Sequence, residues 1–176
     1  MRDNNFDKGN QIHMNPLNCI GNYNFKSINY AFKLYELDHD VISCVQAANA
    51  KGISLKNELK TLVLETSNGL CIVNTSGENH VSLRQIKSSL GVKEAYLLSA
   101  HKLNEINLKP GAICPFLDQL WDLPMLIDKT VLDLLFVSTN NGIRNQFIIF
   151  PPKLLLLSPK HIIGTFGKPI TKEVLK

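Results

Sequence analysis

The sequence predicts an α/β protein of the mixed α+β class, in which helices pack around a mixed sheet. Segments that alternate apolar and polar residues, as half-buried strands do, are interleaved with short segments that carry helix-capping residues. In addition, two apolar runs flank the turn Ser67-Asn68-Gly69, which is the pattern of a β-hairpin. A chain of 176 residues has the length of one domain with a single core.

The predicted elements follow one another at short spacing along the first half of the chain. They are a helix that ends a loosely ordered start, a strand, a helix, the two strands of the hairpin and another helix: residues 18–30, 32–37, 43–51, 60–65, 70–73 and 82–90. Ser43 is a suitable N-cap for the helix at residues 43–51, and Gly52 can end it in a left-handed conformation. Ser82 and Gln85 have the spacing of a capping box.

The second half alternates in the same way around an irregular loop. Its elements are a strand, a short helix, the loop, three strands and a short helix: residues 95–98, 99–106, 109–116, 125–127, 134–138, 146–150 and 151–157. The loop contains two prolines and a glycine, which exclude a regular helix and a central strand. Asn140-Asn141-Gly142 predicts a turn between the last two strands. Residues 158–176 show no period, so no element is predicted there.

The amino-acid composition indicates in which compartment the protein works and which partners it can have. No run approaches the roughly 20 apolar residues that cross a bilayer, and the first residues are polar, so we expect a cytoplasmic protein without a membrane partner. The four cysteines are scattered and lack zinc-finger spacing, which predicts reduced thiols and no zinc site. No cofactor is expected. A net charge of +4 permits an RNA partner. The lysines are spread along the chain, so a DNA partner is not expected.

Three segments in fixed order resemble the YbaK and prolyl-tRNA synthetase-associated family of aminoacyl-tRNA editing domains. The first is Lys60-Thr61-Leu62 on a predicted strand. The second is residues 81–98, where a capped helix leads into a strand, and the third is the GxxxP motif Gly111-Ala112-Ile113-Cys114-Pro115. Each pattern is loose by itself, whereas their order and spacing together are specific.

The resemblance covers about residues 32–157, which implies three parts of the chain. These are an N-terminal extension, an editing domain and a C-terminal tail: residues 1–30, 31–158 and 159–176. The implied fold is a barrel-like, mostly antiparallel mixed sheet surrounded by helices. Its pocket would receive the aminoacylated 3′ end of tRNA.

The implied function is an aminoacyl-tRNA deacylase that acts in trans on mischarged tRNA. By analogy, the substrate is tRNA for proline that carries cysteine or alanine, and prolyl-tRNA synthetase is a candidate partner. Members of the family are thought to use neither a metal nor a protein nucleophile. Backbone groups of the GxxxP loop position the ester, while a ribose hydroxyl of the tRNA or a thiol of the substrate assists its cleavage.

The same resemblance makes Lys60 and Gly111 the candidate catalytic residues. An aminoacyl ester is already activated, so a fixed positive charge and oriented backbone dipoles can supply much of the acceleration. Gly111 lacks a Cβ atom and lets the backbone approach a ligand. The candidate substrate-binding residues are Ala112, Ile113, Cys114, Pro115, Thr61, His39 and Ser138.

Two alternatives to this function stay open. Asn140 and Asn141 stand where the family often has a basic turn, although Arg144 can supply charge nearby. This change, with the unmatched ends, also suits a noncatalytic tRNA- or synthetase-binding module of the same fold. Cys114 suggests a thiol-dependent hydrolase, but the sequence places no base or cation beside it to lower the pKa of its thiol.

Overall fold

The computed structural model describes residues 18–170 of the chain, which form three β-sheets with helices around them. The strands are β1 Asn18–Tyr23, β2 Phe32–Glu36, β3 Leu59–Thr66, β4 Gly69–Ser76, β5 Asn79–Val81, β6 Ala95–Leu97, β7 Met125–Asp128, β8 Val137–Asn140, β9 Gln146–Phe150, β10 His161–Gly164 and β11 Gly167–Pro169. The α-helices are α1 Cys44–Lys51, α2 Leu83–Leu90, α3 Ala100–Glu105, α4 Asp118–Trp121 and α5 Lys129–Leu132. Short 3-10 helices cover Leu55–Asn57 and Pro152–Leu157.

The largest sheet has five strands in the order β10-β7-β4-β3-β6. Strand β3 pairs antiparallel with β4 and β6, whereas β7 pairs parallel with β4 and β10. The second sheet is antiparallel, in the order β1-β2-β9-β8, and β5 pairs with β11 in the third. The mixed α+β class is therefore confirmed. Among residues 18–170 the sheets form no closed barrel, and a parallel bridge between Glu58 and Ser138 joins the two larger ones.

Apolar cores cover both faces of the five-stranded sheet. The larger core lies between this sheet and the four-stranded sheet, and contains Phe32, Phe116 and Phe150 with ring centroids 4.9 to 5.8 Å apart. The smaller core lies on the other face. Val63 points into the larger core and Leu64 into the smaller one, as the alternation of side chains along a strand requires.

Helix α1 and the hairpin form as the sequence predicts. The Ser43 hydroxyl accepts a hydrogen bond from the Gln46 N–H at 3.2 Å, and Gly52 ends the helix with a φ of 68°. Strands β3 and β4 pair from Leu59 opposite Ser76 to Thr66 opposite Gly69. This hairpin carries Lys60 and Thr61 to the site described below.

Two predictions near the chain ends are wrong. Residues 18–23 form strand β1 rather than part of a helix, because they pair with β2 along its length. Residues 158–170, where no element is predicted, contain β10 and β11. Residues 1–17 of the predicted extension and residues 171–176 of the predicted tail lie outside the described residues.

Two further predictions need smaller corrections. Ser82 precedes α2, but its side chain makes no capping hydrogen bond, so the capping box is absent. The strand predicted at residues 134–138 is shifted, and β8 covers Val137–Asn140. No helix within residues 18–170 is long and apolar enough to span a membrane.

Candidate functional site

A cleft of about 470 Å³ opens where α1, the start of β3, the loop at Gly111 and the turn after β8 approach one another. Its walls are mainly apolar, with contributions from Val41, Ala47, Leu59, Leu103, Ile113 and Phe147. Its charged side chains are Lys51, Glu58, Lys60 and Arg144. The cleft therefore combines apolar walls with three cations and one carboxylate.

Lys60 extends from β3 along one wall of the cleft. Its ammonium group donates a hydrogen bond to the backbone carbonyl of Asn79 at 2.6 Å, which fixes the half-buried side chain against β5. A lysine ammonium carries three N–H donors. Within residues 18–170 one of the three is engaged, so two are available to a ligand.

The loop that contains Gly111 is held against the segment before α1. Gly111 has a φ of +77°, and a Cβ atom there would lie 2.9 Å from the Ile42 carbonyl oxygen. Arg144 donates from Nη2 to the Pro110 carbonyl at 3.0 Å, which ties this loop to the turn after β8. Glycine is thus required here by the approach of the Ile42 backbone as well as by its own conformation.

A desolvated ion pair forms the floor of the cleft. Lys51 donates to both carboxylate oxygens of Glu58 at 2.8 Å and to the Ser138 hydroxyl at 2.9 Å, and its ammonium lies 4.6 Å from the centre of the Phe147 ring. Lys51 is 2% exposed and Glu58 5%. Burial lowers the pKa of Lys51 and raises the pKa of Glu58, while the charge of each partner opposes the shift of the other.

Thr61 is a buried polar residue that also lines the cleft. Its hydroxyl donates to the side-chain oxygen of Asn74 at 2.8 Å, across the register pair that joins β3 and β4. The hydroxyl hydrogen is therefore engaged, and the lone pairs of the Thr61 oxygen are the part that a ligand can use.

The structure brings four of the predicted site residues to the cleft: Lys60, Thr61, Gly111 and Ile113. The other five lie elsewhere: Ala112, Cys114 and Pro115 are buried within the loop, Ser138 is buried beneath the ion pair, and His39 is exposed beside Asp38. Their substrate-binding roles stay predictions.

Cys114 lies in the larger core and is not exposed. Burial raises the pKa of its thiol well above the ordinary value, so the thiolate that a nucleophile requires is disfavoured. The structure thus offers no support for a thiol-dependent hydrolase that uses this residue.

The sequence does not point to Lys51 and Glu58 as site residues. A lysine in the last turn of a helix is common, because its positive charge interacts favourably with the helix dipole and its side chain usually reaches solvent. The partners are seven residues apart across a helix end, a spacing that defines no contact without the tertiary fold. Within residues 18–170 no three His, Cys, Asp or Glu side chains form a group that could hold a metal ion. The predicted absence of a cofactor stays a prediction.

Comparisons with known proteins agree with the resemblance found in the sequence. A family model described as "Aminoacyl-tRNA editing domain" matches residues 38–156, well over half of the chain. This match includes all three segments on which the resemblance depends, and it confirms that resemblance. No match is found among curated protein sequences.

Solved structures share the fold at low sequence identity. Hypothetical protein APE2540 matches with a TM-score of 0.71 and 19% identity, over 78% of this chain and 91% of its own. A candidate trans-editing enzyme for prolyl-tRNA synthetase matches with a TM-score of 0.69 and 21% identity, over 78% of this chain and 87% of its own. A structure described as "Epitope backbone grafting by computational design for improved presentation of linear epitopes on scaffold proteins" matches with a TM-score of 0.70 and 21% identity, over 78% of this chain and 87% of its own.

Proposed function

Because the chain belongs to the aminoacyl-tRNA editing domain family, we propose that it is a deacylase that hydrolyses the ester of mischarged aminoacyl-tRNA. The observation that carries this proposal is that Lys60 and Gly111 line the same cleft. They are the two residues that the family resemblance makes catalytic, and they come from distant parts of the sequence.

The charges of the cleft suit the 3′ end of a tRNA. Lys60 and Arg144 provide cationic donors, which are the usual partners of phosphate and ribose oxygens. The apolar walls suit the side chain of a small amino acid. One ligand can thus occupy both parts of the cleft, with its backbone near the cations and its aminoacyl group against the apolar walls.

The proposed reaction is the addition of water to the ester carbonyl carbon and the departure of the ribose oxygen. The proton of the attacking water goes to that oxygen, which a neighbouring hydroxyl of the tRNA can assist. The free N–H donors of Lys60 stabilise the negative charge that develops on the carbonyl oxygen. The loop at Gly111 holds the ester in place, and the proposal requires neither a protein nucleophile nor a metal.

We further propose that the substrate is tRNA for proline that carries alanine or cysteine, and that the chain acts in trans. Support comes from the apolar walls of the cleft. The neighbour described as a candidate trans-editing enzyme for prolyl-tRNA synthetase adds support through its fold. Prolyl-tRNA synthetase is the proposed partner.

The test is deacylation of a panel of tRNAs for proline charged with alanine, cysteine or proline. We expect turnover of at least one mischarged tRNA, while the correctly charged tRNA stays intact. Binding of these tRNAs without turnover of any of them would contradict the proposal and favour a noncatalytic tRNA-binding module.

A further inference from the structure

We infer that Glu58 binds the α-ammonium group of the aminoacyl ester, so that the cleft selects esters of α-amino acids over acyl groups that lack the amine. The inference rests on the proposed function and adds a specificity-determining residue to it. It depends on which hydrogen-bonding positions at the cleft floor are already engaged.

The donors of Lys51 are fully engaged. Its ammonium group has three N–H donors, and three acceptors lie within 2.9 Å: both carboxylate oxygens of Glu58 and the hydroxyl of Ser138. Lys51 therefore has no donor left for a ligand, although it lines the cleft. Its role is to keep the carboxylate of Glu58 charged in a buried position.

Glu58 retains the capacity to accept a further hydrogen bond. A carboxylate offers about four acceptor positions. Lys51 uses two of them, one on each carboxylate oxygen. Acceptor positions therefore remain on a side chain that lines the cleft and is only 5% exposed. A buried acceptor of this kind is stabilised when a ligand supplies the donor.

The charged and polar side chains of the cleft separate acceptors from donors. Glu58 and Thr61 are buried and provide acceptors, whereas Lys60 and Arg144 are partly exposed and provide donors. The end of an aminoacyl-tRNA has the matching polarity, with a cationic amine on the aminoacyl group and anionic phosphates on the nucleotide. The amine is therefore placed inward, against Glu58.

Two hydrolysis-resistant ligands test this inference by binding. Both are 3′-amino-3′-deoxyadenosine 5′-monophosphate, linked through an amide either to alanine or to propionic acid, which lacks only the amino group. We expect the wild-type protein to bind the alanyl ligand tighter by roughly 10- to 100-fold, as for a hydrogen bond between charged groups. Calorimetric titration measures both dissociation constants.

The variant that removes the carboxylate charge is the double substitution Lys51→Met with Glu58→Gln, because Glu58→Gln alone would leave Lys51 buried and unpaired. We expect this variant to lose the preference for the alanyl ligand and to keep its affinity for the propionyl ligand. Glu65→Gln is the matched control, since Glu65 lies on the same strand β3 in an exposed ion pair with Lys102. It should keep the wild-type preference.

Equal binding of the two ligands by the wild-type protein would overturn the inference, and so would a preference that survives in the double variant. The wild-type comparison decides alone if the double variant does not fold. Turnover of mischarged tRNA without any preference for the amine would contradict this inference but not the proposed function. A preference for the amine without turnover of any aminoacyl-tRNA would support the inference and contradict the deacylase.

Discussion

Lys51 ends a short helix in the sequence, yet its ammonium group lies between Glu58, Ser138 and the ring of Phe147. Three separate parts of the chain supply these neighbours, and the Glu58–Ser138 bridge joins the two large sheets at the same point. The ion pair thus stabilises the junction of the sheets beneath the cleft. Its cost is the removal of two charges from water, which only a complete set of partners offsets.

Loss of one partner of this pair should be far more harmful than loss of both. Lys51→Met leaves the Glu58 carboxylate buried without its counter-charge, and we expect the free energy of unfolding to fall by about 3–5 kcal/mol. The double substitution Lys51→Met with Glu58→Gln should recover most of this loss. Urea denaturation of both variants measures the difference.

The exposed pair of Lys102 and Glu65 provides the control for this comparison. Its side chains are 48% and 47% exposed, so Lys102→Met should cost at most about 1 kcal/mol. The outcome that would contradict the prediction concerns the buried pair. If Lys51→Met with Glu58→Gln were as unstable as Lys51→Met alone, lost packing rather than an uncompensated charge would cause the loss of stability.

At the scale of single residues, part of the site can be predicted from the sequence. The family resemblance identifies Lys60, Thr61, Gly111 and Ile113, and the cleft brings these four together. It does not identify Glu58, because nothing local distinguishes a glutamate before a strand from an ordinary surface residue. Its burial depends on Lys51 and Ser138, which only the tertiary fold brings near.

At the scale of elements, predictions succeed where the signal is local. Ser43 and Gly52 define both ends of α1 through backbone groups a few residues away, and Asn68 and Gly69 close the hairpin in the same way. Strands β1 and β10 are missed because both are short edge strands whose partners, β2 and β7, lie outside any local window. Their conformation is set by long-range pairing.

The loop at Gly111 should tolerate a side chain much less well than the C-cap of α2. Gly91 and Gly111 both have positive φ, at +64° and +77°, but a Cβ atom meets nothing within 4 Å at Gly91 and lies 2.9 Å from the Ile42 carbonyl at Gly111. Gly91→Ala should therefore cost about 1 kcal/mol of stability from its backbone conformation alone and leave deacylation unchanged.

Gly111→Ala has the same conformational cost and, in addition, a steric clash between the new Cβ atom and the Ile42 backbone. We therefore expect the free energy of unfolding to fall by about 2–3 kcal/mol. The displaced loop should also lower kcat/KM for mischarged tRNA by more than about tenfold, since small displacements at a reacting centre are costly. Urea denaturation and initial rates check both variants. Equal activities for the two variants would mean that the position of this loop does not govern the reaction.

At the scale of the whole molecule, the fold extends beyond the residues that the family model matches. Strand β10 adds a parallel edge to the five-stranded sheet, and Phe166 fills the smaller core. The Asp128 carboxylate accepts hydrogen bonds from the backbone N–H groups of Phe166, at 2.7 Å, and Gly167. These contacts make residues 161–167 part of the packed structure, although the sequence shows no period there.

Phe166→Ala should consequently destabilise the protein as a core substitution does. The ring is 1% exposed and packs closely against Gly164, so we expect the free energy of unfolding to fall by about 3–5 kcal/mol. Ile163→Ala, at a side chain 50% exposed, should cost less than about 1 kcal/mol. Thermal and urea unfolding would contradict this account if the two variants lost similar stability.

The central claim is that the cation of Lys60 acts on the ester within the cleft. The most direct measurement is kcat/KM for the best mischarged tRNA, compared among the wild-type protein, Lys60→Ala and Lys56→Ala, a nearby exposed lysine that does not line the cleft. We predict a loss of roughly 10²- to 10³-fold for Lys60→Ala, with a loss of stability limited to about 1 kcal/mol for its hydrogen bond to Asn79, and no loss of activity for Lys56→Ala. Undiminished turnover by folded Lys60→Ala would contradict the claim.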